Sequence, residues 1–275
     1  MPATTVNEVY QPLDQDIAYF KRGEWENAVF WQRMGGQPRF AGARVLDVGC
    51  GLGSLCVSMA LAGARKVVGL DTETKLIEFA NHYARSHYPQ VAEALEFRDL
   101  DLQDYHGEAF DIIVSKDSFE HIMDLEGMLD EMKQHLAPGG RIYAGFGPLY
   151  NSPFGHHGRI LTCLPWRQFP WGHLLESEER IVARMNRRRA AGGKIFCYHD
   201  GPIGSIRDLG LNMNSFADYR RILAESGLRL AEFRLNQSTR LFSKISSLLR
   251  GLPGLEEYFT HNIYCILEKS AVEDL

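Results

Sequence analysis

Residues 45–53 read Val45-Leu46-Asp47-Val48-Gly49-Cys50-Gly51-Leu52-Gly53, and this stretch decides the predicted fold. Its first half is a short apolar run that favours a buried strand, and its alternate glycines favour a tight turn. A helical pattern follows over residues 54–62. A strand, a glycine-rich turn and a helix in this order can bind a nucleotide, because glycines let the backbone come close to the ligand and the helix N-terminus offers free N–H groups.

Strand and helix patterns alternate outward from this unit. The predicted strands are 44–48, 66–70, 95–98, 110–115 and 141–146, and the helices are 13–34, 54–62, 72–88 and 120–136. Apolar strands separated by amphipathic helices indicate an α/β fold, a doubly wound and mostly parallel sheet covered on both faces. Right-handed crossovers place the loops that follow the strands along one edge, which is where such sheets bind ligands.

The alternation divides the chain into three predicted parts. Residues 1–40 form an N-terminal helical lid segment, and residues 41–146 with 214–275 form the cofactor-binding domain. Residues 147–213 are rich in Gly, Pro, His, Trp and Arg and lack the repeating pattern. We expect them to be a lid inserted after the fifth strand that binds the second substrate. Beyond them the sequence predicts helices at 215–225 and 240–249 and strands at 228–235 and 262–267.

The glycine spacing separates two kinds of nucleotide site. A dinucleotide fingerprint has its third glycine where this chain has Ser54, one position after Gly53. Asp47, just before the first glycine, is poorly placed beside a pyrophosphate and suits a ligand that carries a positive charge. The spacing and Asp47 therefore disfavour a nicotinamide cofactor.

Two further acids follow the next strands. Asp71 ends the second strand and can accept hydrogen bonds from both hydroxyls of a ribose. Asp101 follows the third strand and can accept one from an adenine amine, with Leu102 packed on the ring. Asp99 competes with Asp101 for this role, although Asp101 better fits a strand-to-turn step.

These residues resemble the motifs of class I S-adenosylmethionine (SAM) dependent methyltransferases. VLDVGCGLG is similar to the first motif, Asp71, Asp101 and FDIIVS to the next three, and LAPGGRIYAGF to the last. The resemblance covers about residues 40–146 and returns faintly at 215–269. It implies a Rossmann-like sheet of seven strands with the last one antiparallel, and SAM as the cofactor. The residues predicted to bind SAM are Asp47, Gly49, Cys50, Gly51, Gly53, Asp71, Thr72, Asp101, Leu102, Ser115 and Lys116.

A second segment, Asp117-Ser118-Phe119-Glu120-His121, follows the fourth strand and is a candidate for the chemistry. On a helix that begins near Asp117, its three ionisable side chains share one face. The segment resembles the ExxEH pattern of two methyltransferase families, which act on ubiquinone precursors and on small-RNA ends. Three interpretations stay open: a divalent metal site, a general base at His121, or helix capping.

The predicted insertion contributes two adjacent histidines. His156 is a candidate fourth metal ligand beside Asp117, Glu120 and His121. His157 is a candidate base that acts with Glu120 and His121. The aromatic residues of the insertion are expected either to line a pocket for the methyl acceptor or to pack the insertion; they are Tyr150, Phe154, Trp166, Phe169 and Trp171.

Composition bounds the function. The formal net charge of −5 does not favour nucleic acid as a partner, although residues 184–189 form a basic run. No apolar run is long enough to span a membrane, and five cysteines without a CxxC pair indicate a reducing compartment, so the predicted location is cytoplasmic. We predict a SAM-dependent methyltransferase that methylates an oxygen or nitrogen atom of a small molecule, and the sequence leaves open whether a metal ion assists. The alternatives are an RNA 2′-O-methyltransferase, a nicotinamide-dependent oxidoreductase and a non-catalytic SAM-binding protein.

Overall fold

The computed structural model describes residues 12–163, 169–237 and 241–271. Trp166, the first residues of the predicted N-terminal lid and the start of the helix predicted at 240–249 lie outside the described residues. The strands are β1 (Arg44–Val48), β2 (Lys66–Asp71), β3 (Leu95–Asp99), β4 (Phe110–Lys116), β5 (Leu136–Phe146), β6 (Arg229–Leu235) and β7 (Ile263–Glu268). The helices are α1 (Asp14–Met34), α2 (Ser54–Leu61), α3 (Thr74–His87), α4 (Leu125–His135), α5 (Glu178–Ala190), α6 (Phe216–Glu225), α7 (Leu241–Leu249) and α8 (Glu256–Phe259).

The seven strands form one sheet in the order β3-β2-β1-β4-β5-β7-β6. β1 pairs in parallel with β2 on one side and with β4 on the other, and β7 runs antiparallel to both β5 and β6. The predicted α/β fold with an antiparallel last strand is confirmed. Since the chain order reverses between β1 and β4, the loops that leave these two strands open a crevice at the carboxyl edge of the sheet.

Alternate side chains of the strands enter two cores, one on each face. Val45 of β1 packs with α1, α2 and α3, while its neighbour Leu46 packs with α4 and α6. Both residues are fully buried, because a parallel sheet covered on both faces exposes neither side. On the first face, α1 contributes Phe30 and Trp31, whose rings contact the aromatic side chains of β7 and β5. This helix is therefore part of the sheet's cover as well as a border of the crevice.

The predicted helix over residues 120–136 is wrong at its beginning. α4 begins only at Leu125, where the Asp124 side chain accepts a hydrogen bond from the N–H of Gly127 and caps the helix. Upstream, Asp117 adopts a left-handed conformation with φ of 54°, and Phe119–His121 form a single 3-10 turn. A left-handed residue reverses the local direction of the chain, so the spacing of a regular helix does not apply to this segment.

Residues 147–213 contain a small core of their own. Ile160, Ile181, Met185, Ile206 and Leu209 are buried together, with α5 as the main helix. This core packs beside the crevice and carries side chains into it. None of the helices in the described part of the chain is long and apolar enough to cross a membrane.

Candidate functional site

The glycine loop after β1 adopts a conformation that only glycine accepts readily. Gly49, Gly51 and Gly53 all have positive φ, of 77°, 54° and 82°. A Cβ atom on Gly49 would collide with the Ser118 side chain, and one on Gly53 would fall on the ring of Phe97. The loop therefore lies in close contact with the turn after β4 on one side and with the Phe97 ring of β3 on the other. Gly53 is turned toward Phe97, so it shapes the loop rather than facing the crevice as predicted.

Asp47 lies beneath this loop and is almost completely buried. The Cys56 thiol donates a hydrogen bond to Asp47 Oδ2 over 3.2 Å. Burial raises the pKa of Asp47 to about 7, while the Cys56 hydrogen bond and the Lys116 charge oppose that rise. A carboxyl in this condition gains from a cation placed above it, because the cation stabilises its charged form.

Asp71, at the end of β2, binds the backbone of the glycine loop and also lines the crevice. Its Oδ2 accepts a hydrogen bond from the N–H of Gly51 over 2.9 Å, and its Oδ1 accepts one from the N–H of Glu73 over 3.0 Å. These two bonds hold the carboxylate at the crevice between the first two βα loops. Thr72 lines the same crevice.

Asp101 rather than Asp99 reaches the crevice. Asp101 Oδ1 accepts a hydrogen bond from the N–H of Gln103, and Leu102 beside it is buried. Asp99 instead accepts a hydrogen bond from the Thr74 hydroxyl. Of the two competing acids, the one favoured by the sequence is the one that lines the crevice.

The two residues predicted at the end of β4 have different surroundings. Ser115 is fully buried and its hydroxyl donates to the carbonyl of Val48, so it ties β4 to β1 and does not face a ligand. Lys116, the next residue, points to the opposite side and lines the crevice. Its ammonium lies 3.5 Å from Asn27 Oδ1 and 3.9 Å from Glu26 Oε2, both on α1.

Glu120, His121 and His157 converge beyond this lysine, and we call them the polar cluster. One potential ligand atom from each lies within 4.8 Å of the others. His121 Nδ1 bonds to the carbonyl of Gly210 over 2.6 Å, and His157 Nε2 to the carbonyl of Pro148 over 2.7 Å. Since a carbonyl only accepts, each of these nitrogens carries the proton and the other nitrogen of each ring keeps a free lone pair. Glu120 Oε1 accepts from the N–H of Gly147, whereas its buried Oε2 has no hydrogen-bond partner among the described residues.

The polar cluster differs from the predicted metal set. Asp117 is outside it, because its left-handed backbone removes it from the face that Glu120 and His121 share. His156 is outside it as well: its Nδ1 accepts from the N–H of Gly158, and its ring packs 5.4 Å from that of His173 within the insertion. His157, which was predicted as a base, is the third member of the polar cluster.

Burial determines the protonation of the cluster. It raises the pKa of Glu120 to about 8, and the nearby Asp117 charge adds to the rise. It lowers the pKa of His121 to about 4 and that of His157 to about 3, and the positive charge of Arg159 contributes in both cases. At neutral pH the two imidazoles are therefore uncharged, and the carboxyl of Glu120 retains its proton.

Asn212 holds the turn that carries Glu120 and His121. Its backbone N–H donates to the carbonyl of Glu120, and its side-chain amide donates to the carbonyls of Phe119 and Ile122 over 2.7 and 3.0 Å. The Tyr219 hydroxyl in turn donates to Asn212 Oδ1. Sequence reasoning missed this residue, since nothing in the chain links it to a turn 90 positions earlier.

A second group missed from the sequence is Arg159, Phe196 and Tyr198. The guanidinium of Arg159 lies 4.1 Å from the centre of the Phe196 ring, and the Tyr198 hydroxyl donates to the carbonyl of His121 over 3.4 Å. All three line the crevice. Of the aromatic residues predicted either to line an acceptor pocket or to pack the insertion, the four that the structure describes do not line the crevice. Trp171, for example, donates to the carbonyl of Tyr258.

One cavity of 1220 Å³ joins these features. It extends from the glycine loop, Asp71 and Asp101 to His121 and Arg159. Its position at the carboxyl edge, where the strand order reverses, is the one expected for ligands of open α/β sheets.

The basic run at 184–189 serves the insertion itself. Arg184 pairs with Glu176 and donates to the carbonyl of Leu161, and Arg189 donates to the carbonyls of His199 and Gly201. These bonds hold α5 to the neighbouring loops. The run therefore has a structural explanation and does not by itself support an RNA partner.

Residues 39–146 match a family model described as a methyltransferase domain. The match covers less than half of the chain, so it shows a similarity between residues 39–146 and a methyltransferase domain. This similarity agrees with the resemblance that the glycine loop and the acids indicated. The match ends at the last residue of β5, so the methyltransferase domain model does not extend into the insertion.

Curated relatives match a segment of similar length. A ubiquinone biosynthesis O-methyltransferase from Chelativorans sp. is 36% identical over 110 residues, which are 38% of this chain and 40% of that protein. A 27-O-demethylrifamycin SV methyltransferase from Amycolatopsis mediterranei is 32% identical over 120 residues, 43% of each chain. The chain thus spans less than half the length of these curated relatives.

Solved structures extend the likeness in fold. The crystal structure of a SAM-dependent methyltransferase from Listeria monocytogenes superposes with a TM-score of 0.56 and 17% identity. The superposition covers 91% of this chain and 99% of that one. At this identity the likeness concerns the fold, which therefore includes the C-terminal strands as well as the methyltransferase domain.

Proposed function

We propose that this chain is a SAM-dependent methyltransferase that methylates a hydroxyl group of a small molecule. One observation carries the proposal: a single cavity contains both the glycine loop with its acids and His121 of the polar cluster. A donor bound at the loop and an acceptor bound beside His121 would share one cavity. The names of the two relatives described above support oxygen over nitrogen, since one is called an O-methyltransferase and the other a methyltransferase of a 27-O-demethyl compound.

The cofactor half of the cavity suits SAM. In the proposal Asp71 accepts from the ribose hydroxyls, Asp101 accepts from the adenine amine, and Leu102 packs on the adenine ring. Asp47, whose buried carboxyl gains from a neighbouring cation, complements the positive charges of SAM. In the proposal residues 147–213 act as a lid, and the supporting observation is that Arg159, Phe196 and Tyr198 of this segment line the cavity.

The reaction needs alignment and one proton acceptor. The acceptor oxygen attacks the methyl carbon of SAM, the carbon–sulfur bond breaks, and S-adenosylhomocysteine leaves. We propose that the hydroxyl proton passes to Nε2 of His121, which has a lone pair because Nδ1 bonds to the carbonyl of Gly210. The Asn212 amide and the Tyr198 hydroxyl hold the His121 backbone in place for this transfer.

The polar cluster also fits a divalent cation. Two imidazole lone pairs and an unpartnered carboxylate oxygen make a donor set found in catalytic zinc sites. Such a cation, when bound, would lower the pKa of an acceptor hydroxyl. Treatment with a chelator, followed by Zn²⁺ or Mg²⁺, distinguishes the two routes: activity restored only by metal supports assistance, and unchanged activity supports His121 alone.

The first experiment tests the cofactor. SAM should raise the melting temperature and give a calorimetric Kd, whereas NAD and NADP should do neither. Stabilisation by a nicotinamide cofactor without SAM binding would refute the proposal and revive the oxidoreductase alternative.

The second experiment tests the chemistry. With methyl-labelled SAM, a panel of small phenols and alcohols should accept label, and matched amines and a short RNA should not. His121→Asn should lower kcat by at least about 100-fold, the lower end of the contribution of a general base, and leave the Kd for SAM unchanged. His106→Asn, at an exposed position, is the matched control. SAM binding with no transfer to any acceptor would instead support a non-catalytic binding protein.

A further inference from the structure

α7 is an amphipathic helix whose apolar side is exposed. Ile245 and Leu248, with Leu252 in the turn that continues the helix, are 49%, 78% and 51% exposed. Their spacing of three and four residues places them on one side of the helix. Ser247 and Arg250, toward the other side, are partly buried. A helix on the surface of a globular protein normally buries its apolar side, so this arrangement is reversed. We call Ile245, Leu248 and Leu252 the apolar patch.

The segment that carries the apolar patch is basic, although the whole chain is acidic. Residues 236–255 contain Arg240, Lys244 and Arg250 and no acidic residue, whereas the formal net charge of the chain is −5. Lys244 is exposed next to the patch. Arg250 Nη1 lies 3.8 Å from Glu256 Oε1, at the start of α8. The surface of α7 therefore combines exposed apolar side chains with local positive charge.

The apolar patch belongs to the same edge of the sheet as the cavity. β5 ends at Phe146 and β6 at Leu235, and both residues pair with Ile263, the first residue of β7. The connection from β6 to β7, which contains α7 and α8, therefore lies at the carboxyl edge of β5. Glu257 of α8 holds this connection to the insertion, since it accepts a hydrogen bond from the Asn151 amide over 2.8 Å.

We propose that the apolar patch and the bases beside it bind the surface of an anionic lipid bilayer. The three apolar side chains enter the boundary between head groups and acyl chains, and Lys244 stays among the anionic head groups. Docking in this way turns the carboxyl edge of the sheet, and with it the cavity, toward the bilayer. The apolar patch lies outside the cavity lining, so the proposal does not depend on which molecule is methylated.

A second copy of the chain fits the apolar patch less well than a bilayer does. In a two-fold contact the patch would meet itself, so Lys244 of one copy would face the same charge of the other. A stable dimer also buries about 800 Å² per partner, from at least about 20 residues. The apolar patch offers three apolar side chains. Anionic head groups supply the opposite charge, and a fluid bilayer adapts to a small surface.

Vesicle flotation with the full chain tests the proposal. The vesicles are made of phosphatidylcholine alone, or of phosphatidylcholine and phosphatidylglycerol in equal amounts. We expect the wild-type protein to partition onto the anionic vesicles at least about tenfold more strongly than onto the neutral ones. Salt at about 1 M should weaken the binding, because the Debye length falls to about 3 Å.

Substitutions assign the binding to α7. Leu248→Gln should lower partition onto anionic vesicles at least about tenfold, because a leucine no longer leaves water. Lys244→Gln should lower it about fivefold and reduce the effect of salt. The matched controls are Leu61→Gln, 51% exposed on α2, and Lys75→Gln, exposed on α3, and both should match the wild type. Since Leu248 has few contacts to lose, Leu248→Gln should unfold in urea as the wild type does.

A gain of signal checks the same surface without a loss of binding. The chain contains four tryptophans, so emission is measured as the difference from the wild type. The added tryptophan of Leu248→Trp should shift its emission to shorter wavelength when anionic vesicles are added, because it leaves water. The added tryptophan of Leu61→Trp should not shift.

Four results would overturn the inference. They are a wild-type protein that does not float with anionic vesicles, equal partition onto neutral and anionic vesicles, undiminished partition of Leu248→Gln, and an emission of Leu248→Trp that vesicles do not shift. A wild-type dimer in light scattering that Leu248→Gln dissociates would assign the apolar patch to a second copy instead. The proposed function is judged separately, since SAM binding and methyl transfer are measured without vesicles.

Discussion

Replacing Glu120 with Gln should stabilise the protein, and more so at higher pH. The carboxyl is 3% exposed, its Oε2 has no partner among the described residues, and its pKa is raised from 4.5 to about 8. Glutamine keeps an oxygen for the N–H of Gly147 and carries no carboxyl proton that titrates. The variant removes a titration and retains the main hydrogen bond.

The sign follows from linkage. The native state holds this proton to a higher pH than the unfolded chain does, so the stability contribution is complete below pH 4.5 and is lost as pH rises toward about 8. Each pH unit in this window costs the wild type about 1.4 kcal/mol, and the slope falls off near the native pKa. The free energy of unfolding of Glu120→Gln minus that of the wild type should therefore grow by about 2 kcal/mol between pH 6 and pH 8.

Equilibrium urea unfolding of both proteins at pH 6, 7 and 8, with a chelator present, measures this difference. Glu126→Gln, whose side chain is 57% exposed, is the control and should show a difference that does not vary with pH. A Glu120→Gln difference that is equal at pH 6 and pH 8 would refute the reasoning, since it would mean that the buried carboxyl does not titrate in this range.

Three further results are expected. Gly53→Ala should lower the free energy of unfolding by about 2 kcal/mol in urea titrations, because φ is 82° and the new Cβ meets the Phe97 ring. Gly51→Ala, with open space around its Cβ, should lower it by only about 1 kcal/mol. Equal losses in the two variants would contradict this reasoning. Asp71→Ala should raise the calorimetric Kd for SAM at least tenfold, which is about 1.4 kcal/mol of binding free energy. The increase should be larger than that in Asp101→Ala, and the reverse order would count against the assignment of Asp71 to the ribose. The pKa of His173 is lowered from 6.5 to about 4, so its stabilising contribution is complete above pH 6.5 and is lost as pH falls. Between pH 6.5 and pH 5 the free energy of unfolding of the wild type should therefore fall by about 2 kcal/mol more than that of His173→Gln. An equal fall in both proteins would disprove this.

The fold and the cofactor loop could be predicted because their signals are local. Apolar strands alternate with amphipathic helices, and each element is specified by residues close to it in the chain. The three glycines report a backbone that needs positive φ, and Asp71 and Asp101 follow strands whose ends must lie at one edge. Within this region Ser115 was predicted to bind the cofactor, but its side chain lies on the buried face of β4. A continuous apolar run does not indicate which face of its strand each side chain occupies.

The reactive half could be predicted only in part. Glu120 and His121 are adjacent in sequence, but the conformation of Asp117 separates it from them, and a left-handed aspartate has no reliable sequence signal. His157 and His156 could not be told apart, since neighbouring residues in an irregular loop point in unrelated directions. Arg159 was overlooked because it is one of many charged residues in the insertion.

By itself, then, the chain determined the alternation of strands and helices, the glycine loop and the acids that follow the strands, since these depend on periodicity and on backbone conformations that only certain residues accept. The tertiary structure decided which side chains of residues 147–213 face the cavity, because that segment packs around its own small core and owes its orientation to contacts such as Asn212 with the turn after β4. Those contacts join positions about 90 residues apart. Burial at that junction, which no sequence pattern reports, sets the charges of Glu120, His121 and His157.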